Sequence, residues 1–257
     1  MENHQPVIEV NSVCKSFSVG SQDVPVLKNV SVTIKDGDFA IIFGPSGCGK
    51  STLLHTILGL EDPNEGNVVL FGHNLYEGTN EDDRAIFRKQ LIGMVFQQSN
   101  WIKALDVKEN VAFPLTLLGI ENTIAQEKAL EMLRQVGMVE WADYIPTELS
   151  FGQQQRVSLA RSLIHNPEVI IADEPTGNLD YESGQQMMQL LGDLNKQHGK
   201  TIIMVTHDFA YLHFANYLIQ IFDGEVVKTY GSKEKSKLLK ELVYKRGLYN
   251  KDTNKSK

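Results

Sequence analysis

The chain has 257 residues, of which 42% are hydrophobic and 22% are charged, a composition that is typical of a globular protein and excludes a disordered chain. Its net charge of −7 is unevenly distributed, because the first 232 residues carry −13 and residues 233–257 carry +6. An acidic body argues against a nucleic-acid-binding surface, which needs clustered positive charge. The two cysteines, Cys14 and Cys48, are too few for a disulfide framework and indicate a reducing compartment.

The first ten residues lack the basic start and the apolar run of a signal peptide. No uninterrupted apolar stretch approaches the roughly 18–20 residues that a membrane-spanning helix needs. We therefore expect a cytoplasmic protein, with any membrane work done by another chain.

The first elements are predicted to be strands, followed by a glycine-rich loop and a helix. Val30, Val32 and Ile34 alternate with polar residues, the pattern of a half-buried antiparallel strand. Residues 38–43 form a nearly continuous apolar run that predicts a strand buried on both faces. Glycines then interrupt the strand, and residues 51–58 have helical spacing. This order of strand, loop and helix is the context in which a phosphate-binding loop works.

The glycine-rich loop is predicted to bind the phosphates of ATP or GTP. Its glycines let backbone N–H groups point at phosphate oxygens, and the N-terminus of the following helix favours negative charge. Lys50 supplies a positive charge for the β- and γ-phosphates, and Ser51 offers a hydroxyl to Mg²⁺. The predicted binding residues of this loop are Gly44, Pro45, Ser46, Gly47, Cys48, Gly49, Lys50, Ser51 and Thr52.

Residues from about 91 to 165 are predicted to be mostly helical, with helices at 123–136 and 153–164, and to form a subdomain inserted into an α/β core. The core resumes with strands at 169–172 and 201–205, which are separated by a helix at about 181–197. Residues 222–225 have the pattern of a hairpin turn. The basic segment 233–257 is predicted to be helical at first and then disordered.

Polar side chains that could bind a metal ion or take part in catalysis follow the apolar strands. Asp173 ends a strand, where a carboxylate needs a cation, and Mg²⁺ held jointly with Ser51 would satisfy it. Glu174 comes next and is expected to point the other way, towards the γ-phosphate. His207 ends the strand at 201–205. Surface acids that cap a turn and a structural histidine are the alternative interpretations.

Residues 149–156 read LSFGQQQR and begin a helix. The hydroxyl of Ser150 and the N–H groups around Gly152 would form a second anion-binding site at a helix end, about 100 residues after the first. An ordinary serine-capped helix is the alternative. Together with the glycine-rich loop and the ADEPTGNLD segment at 172–180, this stretch resembles the ATP-binding subunit of an ABC transporter, over residues 7–231.

The resemblance implies an ABC ATPase fold, a P-loop NTPase core of the α/β class with an antiparallel β subdomain and an inserted α-helical subdomain, in residues 1–232. It implies that Glu174 polarises the attacking water and that neutral His207 donates to the γ-phosphate. Gln97 would contact Mg²⁺ or the water, with Gln98 as a competitor and a polar strand end as the alternative. Phe17 would stack on adenine, unless it is a core residue.

The resemblance also implies a homodimer, in which the helix end of one copy meets the ATP bound by the other. The helix-end residues are Ser150, Gly152 and Gln153, and the loop at 178–180 would cross the interface. Phe151 departs from the family pattern, because most members have a glycine there. A phenylalanine is tolerable if its ring points away from the phosphate and the backbone stays near helical.

Residues 99–114 correspond to the surface that receives a short cytoplasmic helix of a membrane permease in the family. Trp101 suits a partner pocket, and packing within the helical subdomain is the alternative. The basic tail could dock near anionic lipid or a partner, or solvate a terminal helix. Residues 20–27, 105–114 and 173–180 are similar to the branch of lipoprotein-releasing, macrolide-efflux, antimicrobial-peptide and cell-division ATPases. A solute importer remains an alternative, and a soluble ABC ATPase is a more distant one.

Overall fold

A computed structural model describes the backbone of residues 5–253 and the side chains of residues 5–242. The strands are β1 Pro6–Val19, β2 Gln22–Lys35, β3 Phe39–Phe43, β4 Glu65–Leu70, β5 His73–Asn74, β6 Ile92–Val95, β7 Val169–Asp173, β8 Thr201–Thr206, β9 Tyr217–Phe222 and β10 Glu225–Tyr230. The α-helices are α1 Lys50–Ile57, α2 Glu81–Leu91, α3 Val107–Leu117, α4 Asn122–Gln135, α5 Phe151–Leu163, α6 Tyr181–His198 and α7 Ser232–Thr253. Short 3₁₀ turns are found at Val139–Trp141, Pro146–Glu148 and Phe209–Phe214.

The N-terminal strands form an antiparallel sheet with the order β2-β1-β4-β5. The alternation predicted at Val30, Val32 and Ile34 is present, because all three side chains are buried and the residues between them are exposed. These three residues pair with β1 and join the larger core cluster under the sheet.

The remaining strands form a six-stranded sheet with the order β10-β9-β3-β8-β7-β6. Five of its strands run parallel, and β10 pairs antiparallel with β9 through the turn predicted at 222–225. Every residue of β3 is buried, as the apolar run predicted. Because parallel strands point the same way, the loops after β3, β6, β7 and β8 emerge at one edge of the sheet. That edge therefore collects the polar residues that the sequence places at strand ends.

The segment at 91–165 differs from its prediction at its N-terminal end. Residues Ile92–Val95 form β6, which pairs with β7 inside the core sheet, because their apolar side chains are largely buried beside that strand. The helical part begins at α3 and includes α4 and α5, close to the predicted helices at 123–136 and 153–164. These three helices share a hydrophobic cluster of their own.

The basic C-terminal segment begins as α7 and packs against the core. Leu238, Leu239 and Leu242 contact the cluster on one face of the six-stranded sheet. Lys235 Nζ donates to the carbonyl oxygens of His213 and Ala215. Residues 254–257, at the end of the segment predicted to be helical and then disordered, lie outside the described residues. Within residues 5–253, no helix combines the length and apolar character that crossing a membrane requires.

Candidate functional site

A cavity of about 390 Å³ opens at the edge of the six-stranded sheet where the parallel strands end. Its walls come from the loop after β3, the start of α1, and the loops after β6, β7 and β8. The lining residues are Val26, Ser46, Gly47, Gly49, Lys50, Ser51, Thr52, Gln97, Glu174 and His207. The fold thus brings the predicted phosphate-binding loop together with the three predicted catalytic side chains.

Steric limits explain the glycines of this loop. A Cβ on Gly44 would lie 2.1 Å from the carbonyl oxygen of Ile221, which is too close for any side chain. Gly47 and Gly49 have φ of 77° and 100°, a conformation that L side chains rarely adopt. A Cβ on Gly49 would also lie 2.7 Å from the carbonyl oxygen of Val26. The loop is therefore packed closely against Ile221 of β9 and Val26 of β2.

Lys50 is the first residue of α1 and is 7% exposed. Its Nζ donates to the carbonyl oxygens of Gly44 at 3.1 Å and of Pro45 at 2.9 Å. Gly44, Pro45 and Cys48 shape the loop without lining the cavity. Cys48 is buried, and its carbonyl oxygen accepts a hydrogen bond from Gly224 N at 3.1 Å. Carbonyl groups of the loop thus hold the ammonium group of Lys50, a residue that lines the cavity.

Glu174 and His207 form a contact pair at the cavity wall. Nδ1 of His207 lies 2.9 Å from Oε1 and 2.8 Å from Oε2 of Glu174. Glu174 has left the strand, and its φ of 47° is left-handed, which is uncommon for a residue with a side chain and is a feature of functional sites. Its N–H donates to the carbonyl oxygen of Val205 on β8 at 3.0 Å. Backbone conformation, rather than strand alternation, therefore directs this carboxylate.

Asp173 ends β7 in a partly buried position, where an ionised carboxylate loses hydration, which costs free energy. Its Oδ1 is buried and has no hydrogen-bond partner among the described residues. Burial raises the pKa of Asp173, and the charge of Glu174 raises it further, whereas His55 and Lys50 act to lower it. An unpaired carboxylate oxygen at this position fits a hard cation, whose preferred ligands are oxygens. His55, one turn after Ser51 on α1, was not predicted from the sequence to influence the site.

Gln97 follows β6 and lines the cavity, as predicted. Its amide lies against Gly177, because a Cβ on that glycine would come within 2.8 Å of Gln97 Nε2. Val26 on β2 also lines the cavity, and the sequence did not predict this position. The contact of Gly49 with Val26 is long-range, so no local pattern could have indicated it.

Among the side chains that the structure describes, Ser150, Gly152 and Gln153 do not line this cavity. They begin α5, where Ser150 Oγ accepts from Gln153 N at 3.3 Å and Gln153 Oε1 accepts from Ser150 N at 2.9 Å. This capping box leaves the other early N–H groups of α5 without helical partners. Phe151 is 65% exposed and lies within the helix, so its ring does not distort the backbone.

Two further predicted residues lie outside the cavity. Phe17 is on β1 opposite Val24, with Lys15 Nζ 5.0 Å from its ring centre. Trp101 is partly buried against the helical cluster, and its Nε1 donates to Gln154 Oε1 at 2.9 Å. Of the two interpretations of Trp101, packing within the helical subdomain is the one present in this structure.

The chain matches the family model described as ABC transporter over residues 27–177. It is 42% identical to an uncharacterized ABC transporter ATP-binding protein, MJ1508 of Methanocaldococcus jannaschii, over 86% of this chain and 98% of that one. It is 44% identical to the macrolide export ATP-binding/permease protein MacB of Bdellovibrio bacteriovorus, over 86% of this chain and 33% of that one.

The fold also matches a solved structure. The ATP-binding cassette MJ0796 of Methanocaldococcus jannaschii, a dimer in a post-hydrolysis state bound to ADP and Pi, superposes with a TM-score of 0.82 at 39% identity. The match covers 88% of this chain and 98% of that one. The chain therefore belongs to the ABC transporter family, as one of its ATP-binding and ATP-hydrolysing members.

Proposed function

We propose that two copies of this chain bind two ATP molecules between them and hydrolyse each at a shared site. The observation that carries this proposal is the separation of the two predicted phosphate-binding segments. Lys50 lies at the cavity, whereas the N-terminus of α5 at Ser150 is elsewhere on the same copy. A second copy can supply that helix end to the open side of the cavity, and the solved relative MJ0796 is a dimer.

The helix end at Ser150 suits a γ-phosphate of the partner's ATP. Its unpaired N–H groups and the helix dipole favour an anion, and no acidic residue lies in the first turn of α5. The exposed ring of Phe151 leaves the backbone of this helix end helical. The residues we assign to this contact are Ser150, Gly152 and Gln153.

We assign Mg²⁺ binding to Ser51, Asp173 and Gln97, on the strength of the unpaired Oδ1 of Asp173. When bound, the ion would neutralise charge on the phosphate oxygens. Glu174 accepts a proton from, or orients, the attacking water. Nδ1 of His207 lies against the carboxylate of Glu174 in this structure, so we assign its contact with the γ-phosphate to Nε2.

Phe17 remains our proposed adenine contact, and the nearby Val26 already lines the cavity. The ring of Phe17 is about one third exposed on β1, which leaves a face available for stacking. Lys15 Nζ lies 5.0 Å from the centre of this ring and is itself paired with Glu61, so it packs against the ring without adding net charge beside the nucleotide.

A second cavity, of about 540 Å³, supports a membrane permease as partner. Its lining is largely apolar and comes from α2, β6, the segment after Gln97, α3, and the end of α5 together with His165. It includes Met94, Ile102, Phe113, Pro114 and Leu117. Such a groove suits the apolar face of a short helix. We propose that a cytoplasmic helix of a permease docks here, which would hold the ATPase dimer on the cytoplasmic face of the membrane.

For the type of transporter, we propose the exporting branch that transmits force to the permease, with lipoproteins or peptides as cargo. The segments 105–114 and 173–180 support this assignment by their similarity to that branch. The relative from Bdellovibrio bacteriovorus, named as a macrolide export protein, carries ATP-binding and permease functions under one name.

The test of the shared site is Glu174→Gln. We expect this variant to bind ATP and to accumulate as a dimer, because closure occurs without the hydrolysis that separates the copies. Size-exclusion chromatography with light scattering in Mg-ATP measures the mass, and Glu131→Gln, an exposed substitution of the same kind on α4, serves as control. A monomeric Glu174→Gln variant with tight ATP binding would refute the proposal.

A further inference from the structure

The segment that carries Gln97 has no regular secondary structure between β6 and α3, yet it is held in place along α5. We call residues 96–101 the Gln97 segment. It lies at the junction of the two cavities, because Gln97 lines the nucleotide cavity while Asn100 lines the apolar groove. Its position is therefore relevant to both.

The most deeply buried connection between this segment and α5 is made by Gln155, which is 4% exposed and contacts Phe96 and Gln97 directly. Its Nε2 donates to the carbonyl oxygens of Phe96 at 3.1 Å and of Gln97 at 3.0 Å. Two carbonyl acceptors fix the orientation of the amide, since only the NH₂ group can donate to both. Its Oε1 is buried without a partner among the described residues, so the contact with the Gln97 segment accounts for all the hydrogen bonding of this side chain.

Two more side chains of α5 extend this connection. Gln154 accepts from the indole N–H of Trp101. Arg161 donates to the carbonyl oxygens of Ser99 and Asn100, and its guanidinium group lies 4.6 Å from the centre of the Trp101 ring. The Gln97 segment is thus attached to one helix at several consecutive residues.

We propose that Gln155 is a positioning residue for Gln97, which ties the placement of the Gln97 amide in the cavity to the position of α5. The inference rests on the proposed function, because it concerns the role assigned there to Gln97 and the shared site. α5 begins at Ser150, the helix end assigned to the partner's ATP. Gln155 therefore connects the helix that carries one proposed half-site of a copy to the segment that carries Gln97 in the other.

The first test is Gln155→Met, which keeps the length of the side chain and removes both donors. We expect kcat for Mg-ATP to fall about tenfold, equivalent to about 1.4 kcal/mol, with ATP affinity within about twofold of the wild type. Ser158→Ala is the matched control, because it removes a buried hydroxyl without a partner from the same helix. Gln155→Asn, whose amide is too short to reach both carbonyls, should lose kcat to the same extent.

The second test separates positioning from general stability. If Gln155 acts through Gln97, the double variant Gln97→Ala/Gln155→Met should have the kcat of Gln97→Ala alone, within about twofold. Losses that multiply, or a Gln155→Met enzyme with wild-type kcat, would overturn the inference while leaving the shared site intact. A Gln97→Ala enzyme with wild-type kcat would instead overturn the role proposed for Gln97, and this inference with it.

Discussion

Mixed dimers test whether the nucleotide site is shared between copies. Lys50→Ala removes the ammonium group of a residue that lines the cavity. Ser150→Asp places a negative charge where the partner's γ-phosphate is proposed to bind, and aspartate is as good a helix N-cap as serine, so α5 should remain folded. A homodimer of either variant has a substitution in both of its sites, so we expect both homodimers to be inactive.

The expected recovery follows from the geometry. In a dimer of one Lys50→Ala copy and one Ser150→Asp copy, one site combines the intact Lys50 with the intact Ser150, and the other site contains both substitutions. Random pairing at equal concentrations makes about half of the dimers mixed. One working site in two then gives about a quarter of the wild-type rate for the same total protein.

The assay is phosphate release in Mg-ATP as the ratio of the two variants is changed, and the rate should be highest at equal amounts. The doubly substituted chain is the control, because it cannot complete either site with a wild-type copy. An equal amount of it should reduce the rate of the wild type to about half. A wild-type rate that is unaffected by the double variant would refute the shared site.

Two further predictions concern the groove and its histidine. Leu117 lies on the groove and is 52% exposed, and Leu117→Asp should abolish co-purification of the ATPase with the membrane permease. Ile124 on α4 is 45% exposed and lies outside the groove, so Ile124→Asp should still co-purify. Equal co-purification of the two variants would refute the docking site. Burial lowers the pKa of His165 below its ordinary 6.5, and its Nδ1 has no partner in the described part of the chain. The unfolded chain then binds the proton more readily, so this residue lowers the stability of the native state as the pH falls below 6.5. The Tm of His165→Gln minus the Tm of the wild type should therefore increase as the pH is lowered from 6.5 to 5. A Tm difference that does not change with pH would contradict the argument.

Much of the site was predictable because its parts are encoded locally. Glycines followed by Lys50 and Ser51, and acids directly after a buried strand, define a backbone path and a chemistry within a few residues. The parallel sheet then brings these strand ends to one edge, so Gln97, Glu174 and His207 line the same cavity as the phosphate-binding loop, and the catalytic roles assigned to them stay predictions. The family and the ATPase activity followed from the same segments.

Only the tertiary structure decided which long-range partners these residues meet. The alternation of a strand predicted the direction of Glu174, but its left-handed backbone and its contact with His207 are what orient it. The sequence left open whether Trp101 faces a partner or packs within the helical subdomain, and its contact in this structure is with Gln154 of α5, 53 residues away. Gln155 carries no sequence signal for a role near Gln97. A local pattern specifies burial and secondary structure, whereas the carbonyl that a buried amide reaches is fixed only when distant segments pack together.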